Sequence, residues 1–112
     1  MENIKMSQVW NDICDLSDLV KNTGVCALHN GEQVAVFLDD ESNVYAISNY
    51  DPCGNAYVLS RGLIADFKGK LTVASPLYKQ HFDLTTGECI EEPENSVKAY
   101  PVRVEAGKVQ LG

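Results

Sequence analysis

Reactive side chains are few in this chain, and their spacing restricts the chemistry open to them. The cysteines, Cys14, Cys26, Cys53 and Cys89, stand far apart, so neither a Cys-x-x-Cys metal knuckle nor a thioredoxin-like pair is present. Cys26 and Cys89 fall within strand-like runs, which predicts small, buried, apolar roles for both. Cys53 differs, because it lies in a long loop, Asn49-Tyr-Asp-Pro-Cys-Gly-Asn-Ala-Tyr-Val-Leu-Ser-Arg-Gly62. A thiol nucleophile needs a base within reach, and His81 is the candidate on residue type. Nothing in the sequence orients that imidazole, and an isolated His is more often a surface or satisfied core residue. Asp51, Cys53 and His81 are also donors that Zn²⁺ accepts, but their spacing follows no zinc pattern. Gly-rich phosphate loops, a Gly-x-Ser-x-Gly elbow and a His-Glu-x-x-His helix are all absent.

The elements that must position these groups read as short strands. Val25-Cys-Ala-Leu-His29 and Gln33-Val-Ala-Val-Phe-Leu38 flank Asn30-Gly31, whose tolerance of positive φ makes it a strong hairpin signal. Val44-Tyr-Ala-Ile-Ser48 follows and leads into the loop that carries Cys53. A second paired region, Lys70-Leu-Thr-Val-Ala74 and His81-Phe-Asp-Leu-Thr85, brackets another loop that begins Ser75-Pro-Leu-Tyr-Lys79. The tail predicts strands at Val97–Tyr100, Val102–Val104 and Val109–Leu111, with Pro101 marking an edge or bulge. Helix is scarce: the best candidate is a single turn over Ser17–Val20, which Ser17 can cap. Many short strands with almost no helix predict an all-β sandwich or small barrels.

Size and charge set further bounds. At 112 residues the chain is expected to form one domain over residues 1–112, with 1–7 as a loose N-terminal extension. A net charge of −7 argues against nucleic acid and against anionic membrane surfaces, both of which need clustered Lys and Arg. No apolar run approaches the length of a bilayer span, and Met1-Glu-Asn-Ile-Lys-Met-Ser7 lacks the pattern of a secretory signal. The expected compartment is therefore the cytoplasm. Trp10 reads as a packing aromatic, and Glu91-Glu-Pro-Glu94 as a solvated acidic loop.

The two loops and their flanks resemble the Rieske family of iron–sulfur domains. Phe82-Asp-Leu-Thr-Thr-Gly87 matches the Phe-Asp-x-x-Thr-Gly segment that follows the second cluster loop. Val44-Tyr-Ala-Ile-Ser-Asn49 and Leu59-Ser-Arg-Gly62 resemble the entry to and exit from the first. Such domains clamp a [2Fe-2S] cluster with Cys-x-His on one loop and Cys-Pro-x-His on the other. By position, the resemblance puts Asp51 and Cys53 on the first ligand pair and Ser75 and Tyr78 on the second, around an intact Pro76. A Rieske centre needs two thiolates on one iron and two imidazoles on the other. Hydroxyl, phenol and carboxylate oxygens are poor substitutes, so these ligand positions are degenerate and no metal is expected.

An ordered series of segments narrows the resemblance. Trp10-Asn-Asp-Ile-Cys14, Asn22-Thr-Gly-Val-Cys-Ala-Leu28, Val58-Leu-Ser-Arg-Gly-Leu-Ile-Ala65 and Ser96-Val-Lys-Ala-Tyr100 are similar to small subunits of bacterial cytoplasmic NAD(P)H-dependent nitrite reductases. The resemblance implies a Rieske-like all-β fold without the cluster, and no catalytic or cofactor-binding residue in this chain. It also implies a large-subunit partner that carries FAD, an iron–sulfur cluster and sirohaem and reduces nitrite to ammonium. Pro52, Leu77, Tyr78 and Lys79, at the former cluster end, are then the docking candidates. A free-standing binding module and an electron-carrying Rieske ferredoxin are the competing readings.

Overall fold

The computed structural model describes residues 9–77 and 79–112; the expected N-terminal extension and Tyr78 lie outside them. Strands dominate. β2 (Thr23–His29), β3 (Glu32–Leu38) and β4 (Val44–Ser48) form an antiparallel meander at the centre. Asn30 and Gly31 turn β2 into β3 with φ of 51° and 80°, the left-handed pair that a two-residue hairpin requires.

β3 is apolar at every position from Val34 to Leu38, and all five residues are buried. That run is the signature of a strand covered on both faces. Val34, Val36 and Leu38 point to one side, where they join Leu19, Ala46, Tyr100, Val109 and Leu111. This half of the core is closed by the sheet β1 (Asn11–Asp15), β11 (Lys108–Leu111) and β10 (Val102–Glu105). Ala35 and Phe37 point to the other side and meet Ile47, Leu59, Val73, Phe82, Leu84 and Cys89. A third sheet, β7 (Leu63–Phe67), β8 (Lys70–Ala74) and β9 (His81–Asp83), supplies part of that half. A small ribbon, β5 (Tyr50–Asp51) with β6 (Ala56–Tyr57), projects from the end of β4.

Several sequence expectations shift in the structure. The helical turn is 3-10 and spans Leu16–Asp18, with extended Asp15 as its cap in place of Ser17. The Asp15 amide donates to the Asp18 carboxylate at 3.4 Å, so the acidic pair sets the start of the turn. Val97–Tyr100 is not a full strand: it meets the free edge of β4 through a single bridge between Ala99 and Ile47, with the Ser48 amide on the Lys98 carbonyl and the Tyr100 amide on the Ala46 carbonyl, both at 2.9 Å. Cys26 is exposed rather than buried, because it points to the face of β2 opposite Val25 and Ala27, which pack on the core. Cys89 is fully buried, though it sits at a single bridge to Phe82 and not in a strand. Trp10 is half-buried, with the Arg103 guanidinium 4.5 Å from its ring centre.

One loop contact carries a pH dependence. Burial raises the Asp39 pKa, but the amides of Asn43 and Glu41, the Asn43 side chain and the Tyr45 hydroxyl outweigh it and hold the carboxyl below its ordinary 3.8. A depressed carboxylate stabilises the fold above that value and loses its contribution as pH falls through the lower, folded one. Asp39→Asn is therefore expected to lower stability near neutrality and to flatten its decline in acid. Urea midpoints measured from about pH 6 down to about pH 3 would show this.

Candidate functional site

Both sequence-marked loops leave the same end of the molecule. Asn49, 2% exposed, pins the first loop at both of its roots. Its amide donates to the Gln33 carbonyl at 3.0 Å, its carbonyl receives the Leu59 amide at 3.0 Å, and its side-chain oxygen receives the Ser60 amide at 2.7 Å. Asn suits this position because it offers backbone-like donors and acceptors at once. Sequence reading placed no role on Asn49; its polarity at the end of an apolar strand was the only available signal. The second loop closes on itself, with the Ser75 amide bonded to the Gln80 carbonyl at 2.8 Å and the Lys79 amide to the Ser75 carbonyl at 3.0 Å.

Asp51 and Ser75 meet where the loops face each other. Asp51 is fully buried and Ser75 is 1% exposed. The Ser75 hydroxyl donates to Asp51 Oδ2. The other oxygen, Oδ1, receives the amides of Cys53 at 2.9 Å and Gly54 at 3.2 Å. Ser75 Oγ in turn receives the Leu77 amide at 3.2 Å. The Leu77 side chain lies over Gly54, where an added Cβ would sit 2.4 Å from Leu77 Cδ1. The loops thus interlock through one polar contact and one apolar contact.

Cys53 turns away from this pair. Its Sγ receives the Asn95 side-chain amide at 3.4 Å and approaches Glu92 Oε1 at 3.8 Å. Glu92 also receives the Gln80 side chain at 2.5 Å. Burial, followed by the carboxylates of Asp51 and Glu92, pushes the Cys53 thiol above its ordinary 9.0, and the Asn95 contact opposes this. Such a thiol stays protonated at neutral pH and is a weak nucleophile. His81 is engaged elsewhere. The imidazole stacks on Phe67 with ring centroids 3.8 Å apart and bonds Glu91 through Nδ1 at 2.6 Å. Glu91 and Glu92 are accordingly local hydrogen-bond acceptors, not the merely solvated run that the sequence suggested.

The donor set does not fit a [2Fe-2S] cluster. The Asp51 carboxylate is already engaged with two amides and a hydroxyl, and Ser75 contributes a hard neutral oxygen where a thiolate is needed. Among the described residues no group of three or more His, Cys, Asp and Glu side chains could hold a metal ion.

Apolar side chains are exposed around the interlocked loops. Leu77 is 46% exposed and Tyr57 is 56% exposed. Leu28 and Leu63, also exposed, stand at the ends of sheets that feed this tip: Leu28 pairs with Gln33, which anchors Asn49, and Leu63 pairs with Ala74, which precedes Ser75. Lys79 is exposed and Pro52 half-buried. Beside the tip runs a groove of about 450 Å³ lined in part by Tyr50, Pro52, Tyr57, Lys98 and Tyr100. No helix among the described residues is long and apolar enough to cross a membrane.

The three-sheet core with two facing loops at one end defines a Rieske-like domain. The family described as Rieske-like [2Fe-2S] domain matches residues 9–112. A nitrite reductase (NADH) small subunit of Salmonella typhimurium is 56% identical over 107 residues, covering 95% of this chain and 98% of that one. The NMR structure of the Escherichia coli protein NirD superposes with a TM-score of 0.85 at 54% identity, covering 92% of this chain and 94% of the other. The chain belongs to the family of nitrite reductase (NADH) small subunits. A Klebsiella oxytoca nitrite reductase [NAD(P)H] large subunit is also similar, at 42% identity over 106 residues. That match covers 95% of this chain but 11% of the Klebsiella one, so there a domain like this is built into the longer polypeptide.

Proposed function

We propose that this chain is the non-catalytic small subunit of a cytoplasmic NAD(P)H-dependent nitrite reductase, forming one Rieske-like domain that docks its loop tip on the large subunit. The large subunit supplies the chemistry, reducing nitrite to ammonium with FAD, an iron–sulfur cluster and sirohaem. The observation that carries the reading is the collection of exposed apolar side chains at the loop end, Leu77 and Tyr57 foremost. Exposed apolar and aromatic groups on an otherwise acidic surface are what a partner buries. The Klebsiella chain supports the same pairing, because a similar domain there is covalently part of a large subunit.

Two measurements test this. A tagged copy purified from its host grown on nitrite should bring down a large flavoprotein with sirohaem absorbance. Replacing Leu77 and Tyr78 together by Ala should weaken the purified complex about tenfold or more while the fold is retained. Unchanged affinity in a folded double variant would remove the tip from the interface. Failure to recover a sirohaem protein from cells that express one would favour a free-standing binding module instead.

A further inference from the structure

We propose that the Asp51–Ser75 hydrogen bond has taken over the mechanical task of the lost cluster, closing the two loops on each other and thereby presenting the docking tip. This rests on the docking reading above. The resemblance puts Asp51 and Ser75 at the two positions that supply both thiolates to one iron of a Rieske centre. In this chain the same two side chains bond to each other directly. An S–Fe–S link is replaced by a carboxylate–hydroxyl link between the same loops.

The replacement accounts for more than the span. A cluster thiolate is an anion surrounded by loop amides, and Asp51 keeps an anion at that point with Oδ1 accepting the Cys53 and Gly54 amides. Ser75 is the relay. Its hydroxyl donates to Asp51 and its oxygen receives the Leu77 amide at 3.2 Å, which fixes the backbone of the exposed apolar residue. Leu77 then returns to the first loop by lying on Gly54. The circuit runs Asp51, Ser75, Leu77, Gly54 and back to Asp51. Each member is within hydrogen-bond or packing contact of the next. Asp51 and Ser75 are positioning residues: neither is an exposed surface on which a partner could rest.

The test uses the full chain and the purified large subunit. Ser75→Ala removes one oxygen from the second loop and should accelerate amide exchange on the first loop, at Cys53 and Gly54, about tenfold or more. Exchange across β3 should stay unchanged, which separates loop opening from global unfolding. Affinity for the large subunit should fall about tenfold. Asp51→Asn keeps a side-chain acceptor for the two amides and a partner for Ser75, and should retain most of both properties. Unchanged exchange at Cys53 and Gly54 in Ser75→Ala would overturn the latch. Faster exchange with undiminished affinity would overturn its link to docking. The docking reading itself fails on different data, an intact affinity in the Leu77→Ala, Tyr78→Ala variant, which leaves the exchange result standing. Should Ser75→Ala fail to fold, Ser75→Cys puts a weak thiol donor in place of the hydroxyl: faster exchange at Cys53 and Gly54 with β3 unchanged supports the latch, and unchanged exchange overturns it.

Discussion

Replacing Asp51 with Ala is expected to lower folding stability by about 3–5 kcal/mol. The estimate follows from what the carboxylate receives: the amides of Cys53 and Gly54 and the hydroxyl of Ser75, all at a fully buried residue. Hydrogen bonds to a charged acceptor contribute about 1.5–3 kcal/mol each, and a buried donor left without a partner costs about 1–3 kcal/mol. Alanine removes the acceptor and strands three donors at once, although water entering the vacated space would recover part of the loss. In a domain of this size each kcal/mol moves Tm by about 4–8 °C, so a fall of about 12 °C or more is expected. Asp51→Asn retains an oxygen at the same place and a partner for Ser75, and should lose no more than about 0.5 kcal/mol. Thermal and urea unfolding of the two variants side by side would measure both. An alanine variant within about 1 kcal/mol of the parent would mean that the loops are held by something other than this carboxylate.

The second large effect is expected at Gly87. Its φ is +81°, and an added Cβ would stand 2.0 Å from the Val97 carbonyl oxygen and 2.9 Å from the carbonyl carbon. Left-handed backbone alone costs an L-residue about 1–2 kcal/mol. The collision cannot be relieved by a side-chain movement, because the obstacle is backbone, and that backbone is tied down by the Val97 amide bonded to the Gly87 carbonyl at 2.8 Å. Gly87→Ala should therefore lose about 3 kcal/mol or more, with the segment from 88 to 97 displaced. Glu92 and Asn95 lie on that segment and hold the Cys53 thiol, so Cys53 should also label faster with a thiol reagent, read by mass spectrometry of its peptide. Gly69 and Gly107 are the internal controls. Both have positive φ, of 80° and 78°, but nothing lies within 4 Å of an added Cβ. Alanine there should cost only the backbone strain, about 1–2 kcal/mol. A Gly87 variant no worse than these would contradict the steric argument.

Much of the framework was legible from local rules. Asn30-Gly31 announces its hairpin because a two-residue turn needs positive φ twice, and the structure supplies 51° and 80°. Lys68-Gly69 repeats the device between β7 and β8 with φ of 53° and 80°. The run from Val34 to Leu38 carries its own environment, since a strand apolar on both faces must lie between two layers. Local rules failed where tertiary surroundings compete. Cys26 lies in a strand-like run but points to the face of β2 opposite Val25 and Ala27, and is exposed. Val97–Tyr100 has strand composition but finds one bridging partner. Glu91 and Glu92 read as solvated charge, yet they close on His81, Gln80 and Asn95, residues that the chain's course brings beside them.

The sequence by itself determined the all-β architecture, the two loops and, through their flanks, the family. Periodicity, turn residues and short motifs are properties of neighbouring positions, and they survive in one dimension. Only the tertiary structure decided what the altered loops do. Asp51 and Ser75 are 24 residues apart, and no pattern in the intervening chain says that a carboxylate and a hydroxyl will share a proton contact. That meeting depends on two sheets packing against one central strand so that both loops leave the same end. Burial at that junction makes the hydrogen bond strong, because water no longer competes for its partners.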